Sequence, residues 1–124
     1  MSITQSIKVQ LVGTVNAMKF TRHDINSQDS ALDVDHQCRG RYEIIALDQI
    51  DELVTVVEYS ERRVANSLKY THTSYWFMPS PADDDDEFCT YTPRCLIYLT
   101  RGEALVVAEN IDKVEDLIEK AKQS

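Results

Sequence analysis

A chain of 124 residues with 43% apolar and 27% charged residues suits one self-sufficient core, and its composition lies far from that of a disordered polymer. An excess of 21 acidic over 13 basic residues, net −8, sets a field that argues against general affinity for duplex nucleic acid or an anionic membrane. A local arginine cluster can still hold a small anion through bidentate hydrogen bonds, so small anionic ligands stay open.

The elements read off in chain order. Ile7, Val9 and Leu11 alternate with Lys8 and Gln10, which predicts a half-buried strand over residues 7–14. From about residue 15 to 40 the chain is polar and rich in Asp, Asn and Ser, the pattern of a long loop, with a short strand conceivable at 31–35. Residues 42–47 form a strand, 48–52 a tight turn or single helical turn, and 54–59 a further strand. Residues 67–77 predict a long strand with Leu68, Tyr70, His72 and Trp76 on one face and Lys69, Thr71, Thr73, Tyr75 and Phe77 on the other.

Pro79, Pro81 and the acidic run Asp83-Asp84-Asp85-Asp86-Glu87 must break the sheet, giving a loop over about residues 79–92. Residues 94–100 and 104–108 then pair as a hairpin across Arg101-Gly102. A terminal helix follows, N-capped by Asn110, with Ile111, Val114, Leu117, Ile118 and Ala121 as its apolar stripe and Asp116–Lys120 as an i,i+4 pair on the wet side. The expected fold is α+β: an antiparallel sheet of five or six strands with one C-terminal helix packed on it, in a single domain spanning residues 1–124.

Little here has the pattern of an enzyme. Residues 1–6 lack a basic segment followed by an apolar one, and no apolar run approaches the roughly 18 residues of a membrane span, so the expected location is the cytoplasm. Three cysteines, Cys38, Cys89 and Cys95, form an odd set that suits reduced thiols. With His36 they offer zinc ligands, but Cys89 and Cys95 stand too far apart for the usual paired spacing. The acidic run lacks the spaced pattern of a calcium loop and reads as a solvated loop tip. A nucleophilic pair such as Cys95 with His72 comes without an accompanying elbow or oxyanion motif. Gly13, Gly40 and Gly102 are too scattered for a phosphate loop, and no cofactor or metal is expected.

The more suggestive set joins arginines to aromatics. Arg22, Arg39 and Arg94 supply guanidinium forks for phosphates, and Tyr75 or Phe77 supplies a ring on which a base can stack. Each also has an ordinary reading, the arginines as partners of nearby carboxylates and the aromatics as core.

Residues 99–114, Leu-Thr-Arg-Gly-Glu-Ala-Leu-Val-Val-Ala-Glu-Asn-Ile-Asp-Lys-Val, resemble the closing hairpin and helix of small flagellar FlbD-like domains, and residues 46–53 resemble their short turn after the opening strand. In size and architecture the chain is also similar to the phage Thoeris anti-defence sponges, small β-rich oligomers that sequester cyclic ADP-ribose isomers and, in some members, cyclic oligonucleotides. That second resemblance implies arginines and an aromatic at loops, a combination offered here by Arg22, Phe77 and Arg94. The expected function is then a non-enzymatic binder of a cyclic nucleotide signal. The alternative is an acidic inhibitor or adaptor that meets a basic protein partner, of anti-defence or flagellar type. A homo-oligomer is expected under either, because an open sheet with one covering helix leaves edges and a face to cover.

Overall fold

The computed structural model describes residues 5–16, 32, 34–77 and 89–123. Its strands are β1 (Ser6–Asn16), β2 (Tyr42–Ala46), β3 (Ile50–Ala65), β4 (Leu68–Trp76), β5 (Cys89–Leu99) and β6 (Glu103–Val107); the one α-helix among these residues is α1 (Ile111–Gln123). They form a six-stranded sheet in the order β2-β1-β6-β5-β3-β4, antiparallel at every junction, with α1 packed on one face. This is the α+β architecture that the alternation and the terminal stripe predict.

Two apolar clusters divide the faces. Ile7, Val9, Leu11, Ile45, Cys95, Ile97, Leu99, Leu105 and Val107 meet the helix at Val114, and Ile111, Leu117, Ile118 and Ala121 complete the contact. All five residues of the predicted stripe therefore face the sheet. Asn110 accepts the Lys113 amide at 2.8 Å, the expected cap, and Lys120 pairs with Asp116 at 3.0 Å. The opposite face gathers Val12, Val15, Val56, Tyr75, Phe77, Leu96, Ala104 and Val106, with Leu32 and Val34 packed against them.

A short strap bends the sheet around that second cluster. The Leu32 amide donates to the Tyr75 carbonyl of β4 at 2.7 Å, and three residues later Asp35 exchanges bonds of 2.9 and 3.0 Å with Thr14 of β1. Three residues can reach at most about 10 Å, whereas strands separated by four spacings in a flat sheet lie roughly 19 Å apart. The sheet must therefore coil until its second and last strands are spanned by one segment, as in an incomplete barrel.

Three differences from the sequence reading have plain causes. β3 runs on to Ala65 instead of stopping at 59, because the polar residues Ser60, Glu61 and Arg62 still pair with β4 on one side. β5 begins at Cys89, inside the expected Pro-acidic loop, and Pro93 sits within it opposite Val57. Within the 15–40 loop, where a short strand at 31–35 is one expectation, the described residues show an isolated bridge from Asp35 to Thr14. The acidic run 83–87 lies outside the described residues.

The β3–β4 turn is the two-residue pair Asn66-Ser67, with φ of 52° and 67°. Positive φ at both positions is the type I′ hairpin turn, where a serine carries a Cβ penalty that glycine avoids. Ser67→Gly is expected to stabilise the fold by about 0.5–1 kcal/mol. Urea denaturation checks this: the midpoint should rise with an unchanged m-value.

Candidate functional site

The site is built from an irregularity in β1. Up to Leu11 the strand pairs in regular alternation with Val107 opposite; a bulge between Leu11 and Gly13 then shifts the register against β6. On its other side β1 first pairs with β2, then with the turn of residues 35–41. The Leu11 amide donates to the Arg41 carbonyl (2.7 Å), and the Gly40 amide to the Leu11 carbonyl (2.8 Å). With Asp35 fixed on Thr14, the turn is pinned at both ends and bows out between them.

Inside it, the Gln37 amide donates to Asp35 Oδ1 (3.0 Å), the Arg39 amide to the His36 carbonyl and the Arg41 amide to the Cys38 carbonyl. These are local side-chain and backbone closures of the kind Asp and Gly favour, and Gly40 adopts φ of 88°. Between bow and bulge lies an open cleft of about 280 Å³ lined by Thr14, Asp35, Gln37, Cys38 and Arg41. Its lining mixes a guanidinium, an amide, a hydroxyl and a thiol with one carboxylate.

Gly13 is what lets the turn lie this close. A Cβ there would sit 2.6 Å from the Asp35 carbonyl oxygen and against Val34 Cγ1.

Beside the cleft, on the concave face, stands a buried acid. Glu58 of β3 is 7% exposed, and its carboxylate accepts the Tyr75 hydroxyl at 2.8 Å. Arg94 reaches it from β5 with Nε and Nη2, both at 3.4 Å, while Arg94 Nη1 donates to the Ala108 carbonyl at 2.8 Å. Burial pushes the Glu58 carboxyl up; the bonds from Tyr75 and Arg94 and the charges of Arg94 and Arg39 outweigh it and hold the group below its ordinary value. Burial, reinforced by the Glu58 bond and charge, pushes the Tyr75 hydroxyl the other way, far above the ordinary phenol. At neutral pH the group is thus a carboxylate with a neutral phenol and a guanidinium. His36 closes over Tyr75 with ring centroids 5.5 Å apart, which joins this cluster to the turn.

The residues expected to bind ligand fall out as follows. Arg39, Tyr75 and Arg94 converge, but around Glu58, and Phe77 packs in the same apolar cluster as Tyr75. Tyr75 is 1% exposed and Phe77 8%, so neither ring offers an open face for a base in this structure. Arg39 stands exposed on the turn. Arg22 lies outside the described residues.

Sequence reasoning passes over Glu58, although its signal is present: it shares strand parity with Val54 and Val56, so alternation aims its carboxylate inward. Arg41 and the other cleft residues carry no such signal, since only the bulge brings them together.

Cys95 is fully buried in the helix-side cluster and burial pushes its thiol up to about 12. Cys95 pairs with Thr55 and His72 with Glu61, six residues further along β3 and about 20 Å away, so the two do not meet. Among the described residues no group of three or more His, Cys, Asp or Glu side chains is arranged to hold a metal ion, and no helix is long and apolar enough to cross a membrane. No family model matches the chain, and neither the curated proteins nor the solved structures give a match.

Proposed function

We propose that the chain is a non-enzymatic cytoplasmic binding protein that sequesters a small anionic nucleotide-type ligand at the turn of residues 35–41. The observation that carries this reading is the cleft at the β1 bulge, where Arg41, Gln37 and Thr14 offer donors and Asp35 offers an acceptor. A nucleotide presents phosphate oxygens and sugar or base N–H and O–H groups together, and that mixture matches such a lining. Arg39, exposed beside it, adds a second guanidinium. In this reading Arg94 and Tyr75 support the site from below, because Glu58 already occupies them.

The cleft's size narrows the expectation. Pockets that enclose a drug-sized ligand hold about 300–1,000 Å³, and about 280 Å³ falls just short. A cyclic dinucleotide would be held by one phosphate and its neighbouring sugar, with the rest outside. Titration calorimetry against cyclic dinucleotides, cyclic trinucleotides and cyclic ADP-ribose isomers tests this. Arg41→Ala is expected to weaken the best ligand more than tenfold, equivalent to about 1.4 kcal/mol. Binding by none of the panel, or equal affinity in Arg41→Ala, would sink the reading.

A second reading, a protein-binding inhibitor or adaptor, draws on the exposed apolar side chains Val64, Leu68 and Tyr70 of the β3–β4 hairpin. Partner pull-down with loss on Leu68→Lys would favour it over the first.

A further inference from the structure

The strap that closes the sheet leaves the outer end of β4 uncovered among the described residues, and the geometry of that edge is self-complementary. The two-residue turn makes Ala65↔Leu68 the first pair of the hairpin, hydrogen-bonded inwards. Alternation then sends the N–H and C=O of Leu68, Tyr70, His72, Ser74 and Trp76 toward β3, and those of Lys69, Thr71, Thr73 and Tyr75 outward. The Leu32 amide on the Tyr75 carbonyl agrees with this parity and occupies the last outward position. Lys69, Thr71 and Thr73 remain, three residues symmetric about Thr71.

We propose that a second copy of this chain pairs with β4 edge to edge, antiparallel, about a two-fold axis at Thr71, making one continuous sheet through both molecules. In that register Thr71 faces Thr71 and Lys69 faces Thr73 of the other copy, each exchanging both backbone bonds. Shifting by two residues toward the C-terminus would require the Tyr75 carbonyl, which Leu32 holds. Between these pairs, Tyr70 of each copy lies opposite His72 of the other, in the closer, non-hydrogen-bonded spacing.

Charge favours this occupant. Lys69 is the only Lys, Arg, Asp or Glu in β4, and here it faces threonine. From residue 62 to 77 the sequence holds Arg62, Arg63 and Lys69 and no carboxylate, in a chain of net charge −8. Antiparallel pairing lays each basic hairpin end toward the acidic body of the other copy. β4 holds no proline, and Leu68, at 71% exposure, gains cover. An edge of this length buries less than a standard interface, so the dimer should dissociate in the micromolar range.

The test uses the whole chain. Sedimentation equilibrium over a concentration series should show the mass doubling, and Thr71→Lys, which opposes two charges across the axis, should keep the monomer mass throughout with an unchanged melting curve. For register, Thr71→Cys in a Cys38→Ser, Cys89→Ser background is expected to cross-link under mild oxidation. The facing Cα atoms of a hydrogen-bonded pair lie about 5.5 Å apart, within disulfide reach. Thr73→Cys in the same background should not cross-link. A wild-type chain that stays monomeric at every concentration overturns the proposal, as does dimerisation undisturbed by Thr71→Lys or cross-linking through residue 73 in place of 71.

Discussion

Arg94→Met is expected to cost about 2–3 kcal/mol and to reverse the direction in which acid affects the fold. Breaking a buried ion pair from one side typically costs about 3–5 kcal/mol. The smaller figure applies because the Arg94 side chain is 20% exposed, its contacts to Glu58 are 3.4 Å, and the 2.8 Å bond from Tyr75 survives. The sign with pH follows from the Glu58 carboxyl. In the native chain its pKa is held below the ordinary value, so its contribution is fully present above the unfolded-state pKa and is lost as pH falls through the lower folded one. Without Arg94, burial dominates and the pKa rises above the unfolded value. The carboxylate then destabilises at neutral pH, and its protonation in acid relieves the fold.

Urea unfolding at neutral pH and again on the acid side reads both effects. The deficit of Arg94→Met should be large at neutral pH and shrink on acidification. Adding Glu58→Gln should bring the double variant to within about 1 kcal/mol of the native chain, since a neutral amide leaves no stranded charge. An equal deficit at both pH values would mean that Arg94 matters only through its bond to the Ala108 carbonyl.

Gly13→Ala is the second large effect, expected at about 2–3 kcal/mol, from overpacking where backbone meets backbone. Val34 Cγ1 could swing aside, but the Asp35 carbonyl is itself bonded to the Thr14 amide at 3.0 Å and cannot retreat without releasing the bridge. Both anchors of the bowed turn depend on that approach. The variant should therefore lose ligand affinity along with stability, and hydrogen exchange at the Thr14 and Asp35 amides should accelerate while the α1 amides stay protected. Slow exchange at Thr14 and Asp35 in the variant would show that the strap tolerates the methyl group.

The sequence carries the sheet and helix clearly because their signals are local: period two in β1 and β4, a glycine turn before β6, a cap and stripe in α1. It understates β3, whose second half is polar on both faces and is held as a strand by β4. For the site, it picks out Arg39, Tyr75 and Arg94, and these do converge. It leaves Glu58 unmarked, the inward glutamate that draws the Arg94 guanidinium and the Tyr75 phenol to itself. The cleft residues Thr14, Gln37, Cys38 and Arg41 are illegible beforehand, because a one-residue bulge and a glycine contact bring them together and neither has a periodic signature.

The position of β1 has a bearing on how the molecule comes into being. It precedes the other five strands in the chain, yet it lies between β2 and β6, and its partner β6 and covering helix are made after all the strands between. The β3–β4 and β5–β6 hairpins can form from near neighbours, whereas joining β1 to β6 closes a loop that takes in all four other strands. β1 must therefore wait, its apolar face unsatisfied, until β6 and α1 have been made. That interval is when a growing chain depends most on chaperones, and its length is fixed by topology, whatever the finished fold's stability.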